Sequence, residues 1–201
     1  MDPGARAFWP LPFPPLVELL DYWQAKRRGR AAPDKDDIDP IDLPRLLPDI
    51  ALLDAAPPGG EFRYRLAGSR AVAMLGREPR GLTQRELHGN PSSPAVLRVI
   101  ERAEREFDWV ARALVGGFRT TVLAMPEREH VEWARLVLPL TAGSGRARHL
   151  LMIMVSIAGS QRSVRSVGPV AFGVDLDRMA PVPLPADVVA LADDPAVVAV
   201  P

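Results

Sequence analysis

The stretch Leu150-Leu151-Met152-Ile153-Met154-Val155 constrains this chain more than any other feature, because six apolar residues follow one another without alternation. A strand with one wet face alternates apolar and polar residues; a strand that does not alternate must have both faces covered. The run from Arg148 to Ala158 therefore reads as a strand in the middle of a sheet, entered through the turn Thr141-Ala142-Gly143-Ser144-Gly145. Its apolar part, Leu150 to Ala158 with only Ser156 breaking it, falls well short of the ~20 residues a membrane-crossing helix needs.

The rest of the sheet is sought around that strand. Ile50 to Ala55 and Phe62 to Ala67 are strand candidates separated by Pro57-Pro58-Gly59-Gly60, a hairpin loop. In the second, Phe62, Tyr64 and Leu66 share one face and Arg63 and Arg65 the other. Phe118 to Met125 and Val131 to Leu138 are further strands, with Trp109 to Val115 extending or preceding the first. Pro139 marks a strand end or bulge, since it cannot donate to a ladder. Val170 to Val174 is a weaker late strand.

Helical spacing appears in two places. Leu16, Leu19, Leu20 and Trp23 fall on one face of a helix with Pro15 in its first turn, a basic end at Lys26-Arg27-Arg28 and a stop at Gly29. Between the early and late strands lie Ser69 to Leu75, Leu82 to Leu87 and a longer helix from Ser93 to about Phe107. That helix has Val96, Ile100, Ala103 and Phe107 on its apolar face. Residues 33 to 48 alternate Asp with Pro, the pattern of a loop with caps; Asp42 is expected to cap a short turn that carries Leu46 and Leu47 inward.

Composition then excludes several kinds of chemistry. The 201 residues suit one domain, or one domain plus flanking arms. The absence of cysteine removes thiol nucleophiles, cysteine-held zinc or iron–sulfur sites and cysteine-linked flavin. Acids and bases balance at 25 each, and 23 of the bases are arginine. A nucleic-acid partner bound by bulk charge would leave a basic excess, so no nucleic acid is expected. The start Met1-Asp2-Pro3-Gly4 lacks the pattern of a secretory signal, so a cytoplasmic location is expected.

Candidate chemistry is sparse. His88, His130 and His149 fit no metal spacing, and neither a metal nor haem is expected. The cluster Asp34, Asp36, Asp37, Asp39 and Asp42 fails the calcium-loop pattern, because Asp39 and Arg45 stand where Gly and a carboxylate are required; capping and arginine pairing explain it. Glu127, Glu129 and Glu132 could supply a base, but no nucleophile, base and orienting group line up, and no catalytic residue is assigned. A small enzyme using Glu132 or His130 as a pocket base is the rival reading. A ligand-free adaptor docking through the Pro-rich arm Phe8 to Pro15 is a third.

Two strands, short helices, one longer helix and then three strands ending in a buried one is the order of the PAS fold. The chain also resembles a bacterial PAS-like family of small stand-alone proteins in which a Tyr-Trp helix precedes the domain. The matching segments are Leu20-Asp21-Tyr22-Trp23, Pro33 to Pro40, Leu46-Leu47-Pro48-Asp49-Ile50, Phe62 to Gly68, Gly76, Gly81-Leu82 and Leu136-Val137-Leu138-Pro139-Leu140. Ser69 departs from the family's usual Thr.

The resemblance implies an α+β fold: a five-stranded antiparallel sheet with helices over one face and an N-terminal flanking helix. The expected organisation is an arm (1–13), the flanking helix and Asp/Pro loop (14–48), the PAS-like core (49–158) and a C-terminal extension, partly disordered (159–201). The expected function is a sensory or regulatory module that binds a small ligand or a signalling partner; an unlinked cofactor's identity is left open. Ligand contacts are expected from Tyr64, Arg65, Met74, Trp133, Met152 and Met154. Leu16, Leu19, Leu20 and Trp23 form the interface stripe, which covers the open sheet face or pairs two subunits as a homodimer. Arg65 is expected to pair with an acid between Asp34 and Asp49.

Overall fold

The structure is a computed structural model and describes residues 13–56, 61–122, 132–143, 146–157, 171–177 and 180–182. The arm before Phe13, the Pro57–Gly60 loop, Glu127, Glu129, His130 and most of the C-terminal extension lie outside the described residues.

Helix α1 (Pro14–Arg27) starts on two prolines, whose fixed φ suits a first turn. It ends where Arg28 and Gly29 turn left-handed (φ 51° and 80°), with Lys26 and Arg27 beside the carbonyl end. Leu16, Leu19, Leu20 and Trp23 are all buried within this chain. Their side chains pack against the sheet. Each contributes about 1.5–3 kcal/mol through burial. Trp23 Nε1 also donates to the Pro139 carbonyl at 2.9 Å, which sets the helix against the sheet at one depth.

Strands β1 (Ile50–Ala55), β2 (Phe62–Ala67), β3 (Gly116–Val122), β4 (Glu132–Leu140) and β5 (His149–Ser156) form an antiparallel core in the order β2-β1-β5-β4-β3. The five-stranded PAS-like sheet is thus present, with the unalternating run in its central strand. Strands β6 (Ala171–Asp175) and β7 (Ala180–Val182) extend it beyond β3. The late strand expected near Val170 is β6. Pro139 lies inside β4, one residue before its end, and past the last pair with β3, Gly117↔Val137; a missing N–H is tolerated at such a margin.

Alternation along each strand divides the core in two. Ile50, Leu136, Leu138, Leu140, Leu151 and Ile153 face α1. Leu53, Tyr64, Val137, Leu150, Met152 and Met154 face the helices between β2 and β3. These are α2 (Ser69–Leu75), α3 (Gln84–Leu87) and α4 (Pro94–Ala113). Both sides of β5 are therefore covered, as its lack of alternation requires.

Several local expectations need correction. Trp109 to Ala113 is helical, because the 3.6-residue period of Ile100 and Phe107 continues through Val110 and Ala111, all buried. Around residue 42, Asp39 is the cap: its side chain accepts from the Ile41 N–H at 2.9 Å, and the 3-10 turn spans Pro40–Asp42. Asp42 instead meets Lys26 at 2.9 Å and the Tyr22 hydroxyl at 3.1 Å. Leu46 is buried but Leu47 stays exposed. The other acids do pair as expected, Asp34 and Asp37 with Arg30. Asp34 further accepts from Thr141 and from the Gly143 N–H, tying the loop to the end of β4.

Candidate functional site

The α4-facing side of the sheet carries the charged cluster. Trp133, Arg135 and Val137 share one face of β4, since side chains alternate along a strand. Arg119 lies directly opposite Arg135 on β3, and Met154 opposite it on β5. Glu106 descends from α4 between the two arginines. It is wholly buried, and Arg119 and Arg135 are 5% and 4% exposed.

Close approach of α4 depends on Gly117. A Cβ there would lie 3.1 Å from Glu106 Oε1 and 3.0 Å from a Val110 methyl. With no side chain in the way, Glu106 reaches the sheet. Arg119 donates to Glu106 Oε2 through Nε at 2.9 Å and Nη2 at 2.6 Å, and Arg135 Nη2 donates to the same oxygen at 2.9 Å. One carboxylate oxygen thus takes three bonds, while Oε1 has no partner among the described residues.

Arg135 is also held by rings. Its guanidinium lies 5.0 Å from the centroid of Phe107 and 5.4 Å from that of Trp133, close enough for cation–π attraction. Its Nε–H and the Trp133 Nε1–H are buried without an acceptor among the described residues. Tyr64 completes the wall. Its hydroxyl accepts from Gln84 Nε2 at 2.9 Å, and the Thr83–Glu86 capping box at the start of α3 orients that glutamine.

Arg102, one turn before Glu106 on α4, is 7% exposed. Burial, reinforced by the nearby Arg119 and Arg135 charges, pushes it down to about 10, so it stays charged at neutral pH. Burial works against ionisation of Glu106, but Arg119 and Arg135 together outweigh it and hold its carboxyl below the usual range. Arg135 is itself lowered by burial, with Glu106 opposing. Burial pushes the Tyr64 hydroxyl up to about 12, so it remains protonated.

Of the residues expected to contact a ligand, Tyr64, Trp133, Met152 and Met154 come together on this face, and Met74 packs partly buried against it. Arg65 does not. It points to the opposite face of β2, its side chain half exposed, and pairs with Asp54 at 3.1 Å across the β1–β2 hairpin. Its partner is therefore Asp54 on the neighbouring strand and no acid between Asp34 and Asp49; Asp49 is taken by Arg70 at 2.7 Å.

Sequence reasoning missed Arg102, Glu106, Arg119 and Arg135. A signal existed: Glu106 sits at helical spacing between Ala103 and Val110, and Arg135 has the same parity as Trp133 and Val137 in an apolar strand. A charge in core phase on two packed elements marks a buried pair.

Among the described residues no group of His, Cys, Asp and Glu is arranged to hold a metal ion, and no helix is long and apolar enough to cross a membrane. His88 Nδ1 sits 2.8 Å from the Gln84 carbonyl and His149 Nδ1 2.7 Å from Asp54.

A family model described as PAS domain matches residues 12–155. No curated protein matches at a significant level. Among solved structures, the chain is similar to VqmA bound to DPO, at 13% identity and TM-score 0.45, covering 64% of this chain and 60% of that one. It is similar to a Vibrio cholerae VqmA dimer studied in the absence of target DNA, at 11% identity and TM-score 0.43, over 59% of this chain and 50% of that one. It is also similar to the PAS domain of Bordetella pertussis BvgS, at 16% identity and TM-score 0.44, over 65% and 95%. The chain therefore spans only part of the VqmA proteins it matches.

Proposed function

Starting from the fact that this chain belongs to the PAS domain family, we propose that it is a sensory module. A small ligand binds on the α4-facing side of the sheet, and the flanking helix α1 reports binding to a signalling partner. The observation that carries this reading is the pair of buried, acceptorless donors, Trp133 Nε1 and Arg135 Nε, in a wall otherwise formed by Tyr64, Phe107, Met152 and Met154. Buried donors in folded proteins almost always have partners, and each one left without costs about 1–3 kcal/mol. A ligand acceptor that meets them gains that energy.

Alternation in β4 supplies the route outward. Trp133, Arg135 and Val137 face the ligand side, while Ala134, Leu136 and Leu138 pack toward α1. A shift of β4 that repositions Arg135 moves Leu136 with it, and Trp23 is bonded to the Pro139 carbonyl on the same strand. α1 therefore feels any change in β4 through packing and through a hydrogen bond.

The test has two parts. Native mass spectrometry of the purified full chain is expected to detect a bound small molecule, or binding from a panel of small amphiphiles. Hydrogen exchange is then expected to slow in α4 and change in α1 on binding. Binding without any change in α1 would refute the signalling route; absence of any binder would refute the ligand itself and leave the adaptor reading.

A further inference from the structure

We infer that the ligand carries an anionic head, a carboxylate in its simplest form, on an apolar body, and that Arg102, Arg135 and the Trp133 indole receive that head. This rests on the ligand-binding reading above and names the chemical class it implies.

The charge count comes first. Three buried guanidiniums, Arg102, Arg119 and Arg135, surround a single carboxylate, Glu106. Glu106 spends its bonds on Arg119 and Arg135, all through Oε2. Arg102 has no ion pair with any described residue, although it is buried. Around it Arg119 and Arg135 oppose its charged form and Glu106 alone favours it, so the site holds a surplus of positive charge that a second anion would answer.

Hydrogen bonding points the same way. Arg135 Nε–H and Trp133 Nε1–H lack acceptors, and the Tyr64 hydroxyl accepts from Gln84 while its own proton has no acceptor among the described residues. All three are surplus donors, and the surplus acceptor among the described residues of this cluster, Glu106 Oε1, lies beside Gly117. A carboxylate, which only accepts, answers donors and charge together. A neutral carbonyl would answer the donors and leave the charge; a cation would be repelled.

Glu106 also limits the choice. It cancels part of the positive charge, which leaves enough for one or two negative charges and too little for a polyphosphate. The neighbouring surface of Phe107, Met152 and Met154 is apolar, which suits a hydrocarbon or aromatic body.

The test titrates the full chain with benzoate, phenylacetate and hexanoate, each against its primary amide. Calorimetry reads affinity, and the ¹⁵N–¹H indole resonance of Trp133, assigned with Trp133→Phe, reports the site. At least one carboxylate is expected to bind ten-fold or more tightly than its amide and to shift that resonance. Because substituting Arg135 threatens folding, Arg102→Gln is the informative variant. It is expected to weaken carboxylate binding at least ten-fold without lowering the melting temperature, since Arg102 makes no ion pair with a described residue and its removal relieves repulsion with Arg119 and Arg135. Equal binding of acid and amide, or an Arg102→Gln variant that binds the acid as wild type does, overturns the anion assignment. In the case of equal binding the ligand reading survives. If neither acids nor amides bind, both readings fail.

Discussion

Replacing Glu106 by Gln keeps the side chain's shape and removes its charge. In the native fold this wholly buried carboxylate accepts three hydrogen bonds from two arginines that are themselves about 95% buried. The amide oxygen of Gln can still accept, but Arg119 and Arg135 would be left as buried charges with no counterion. Removing one partner of such a cluster costs about 3–5 kcal/mol. A domain of this kind has about 5–15 kcal/mol in total, so Glu106→Gln removes a large share of it. With roughly 2–4 °C per kcal/mol, the expected fall in melting temperature is about 6–20 °C.

Urea unfolding at about pH 7 measures the free energy directly, with an unchanged slope showing that the unfolded state is the same. Acid provides the internal control. Arg119 and Arg135 hold the Glu106 carboxyl below its ordinary 4.5 despite burial. Its contribution is therefore present above pH 4.5 and disappears as pH falls toward the folded value. The gap between wild type and variant should shrink below pH 4.5, by up to about 1.4 kcal/mol per pH unit. A difference under about 1 kcal/mol at neutral pH, or a gap that does not narrow near pH 3, would show that Glu106 is not the counterion of this cluster.

Three other substitutions probe the frame. Gly68→Ala places a Cβ 1.9 Å from the Leu47 carbonyl oxygen, a backbone atom that cannot swing aside; a loss of about 3 kcal/mol and poor soluble yield are expected. Trp23→Phe keeps most of the apolar volume but strands the Pro139 carbonyl; chemical unfolding should show a loss of about 1–3 kcal/mol. Burial raises Tyr64 from 10.0 to about 12, so the folded state keeps a proton that the unfolded chain gives up. Stability is then fully present below pH 10 and falls between pH 10 and 12, by about 1.4 kcal/mol per unit, whereas Tyr64→Phe removes this slope.

Much of the scaffold was legible because its signals are local and repeated. The unalternating Leu150 to Val155 run demanded cover on both faces, and it lies at the sheet centre between α1 and α4. The spacing of Leu16, Leu19, Leu20 and Trp23 announced a buried stripe, though not whether it would meet this chain's own sheet or another subunit. Helix α4 was read six residues short because Trp109 to Val115 is rich in residues that suit strands as well as helices.

Four of the six expected ligand contacts share a face because period-two alternation along each strand sorts them without reference to other strands. Arg65 was misplaced by the opposite circumstance, since its partner depended on which strand lay beside β2. Which charges meet is likewise invisible along the chain. Glu106, Arg119 and Arg135 are separated by 13 and 29 residues from the glutamate, and only the β3–β4 register and the gap at Gly117 join them. Hydrophobic periodicity is a property of neighbouring residues, so the chain alone dictated the layers and their inner faces; electrostatic pairing acts through space, and only the packed tertiary structure decided that three arginines would surround one carboxylate.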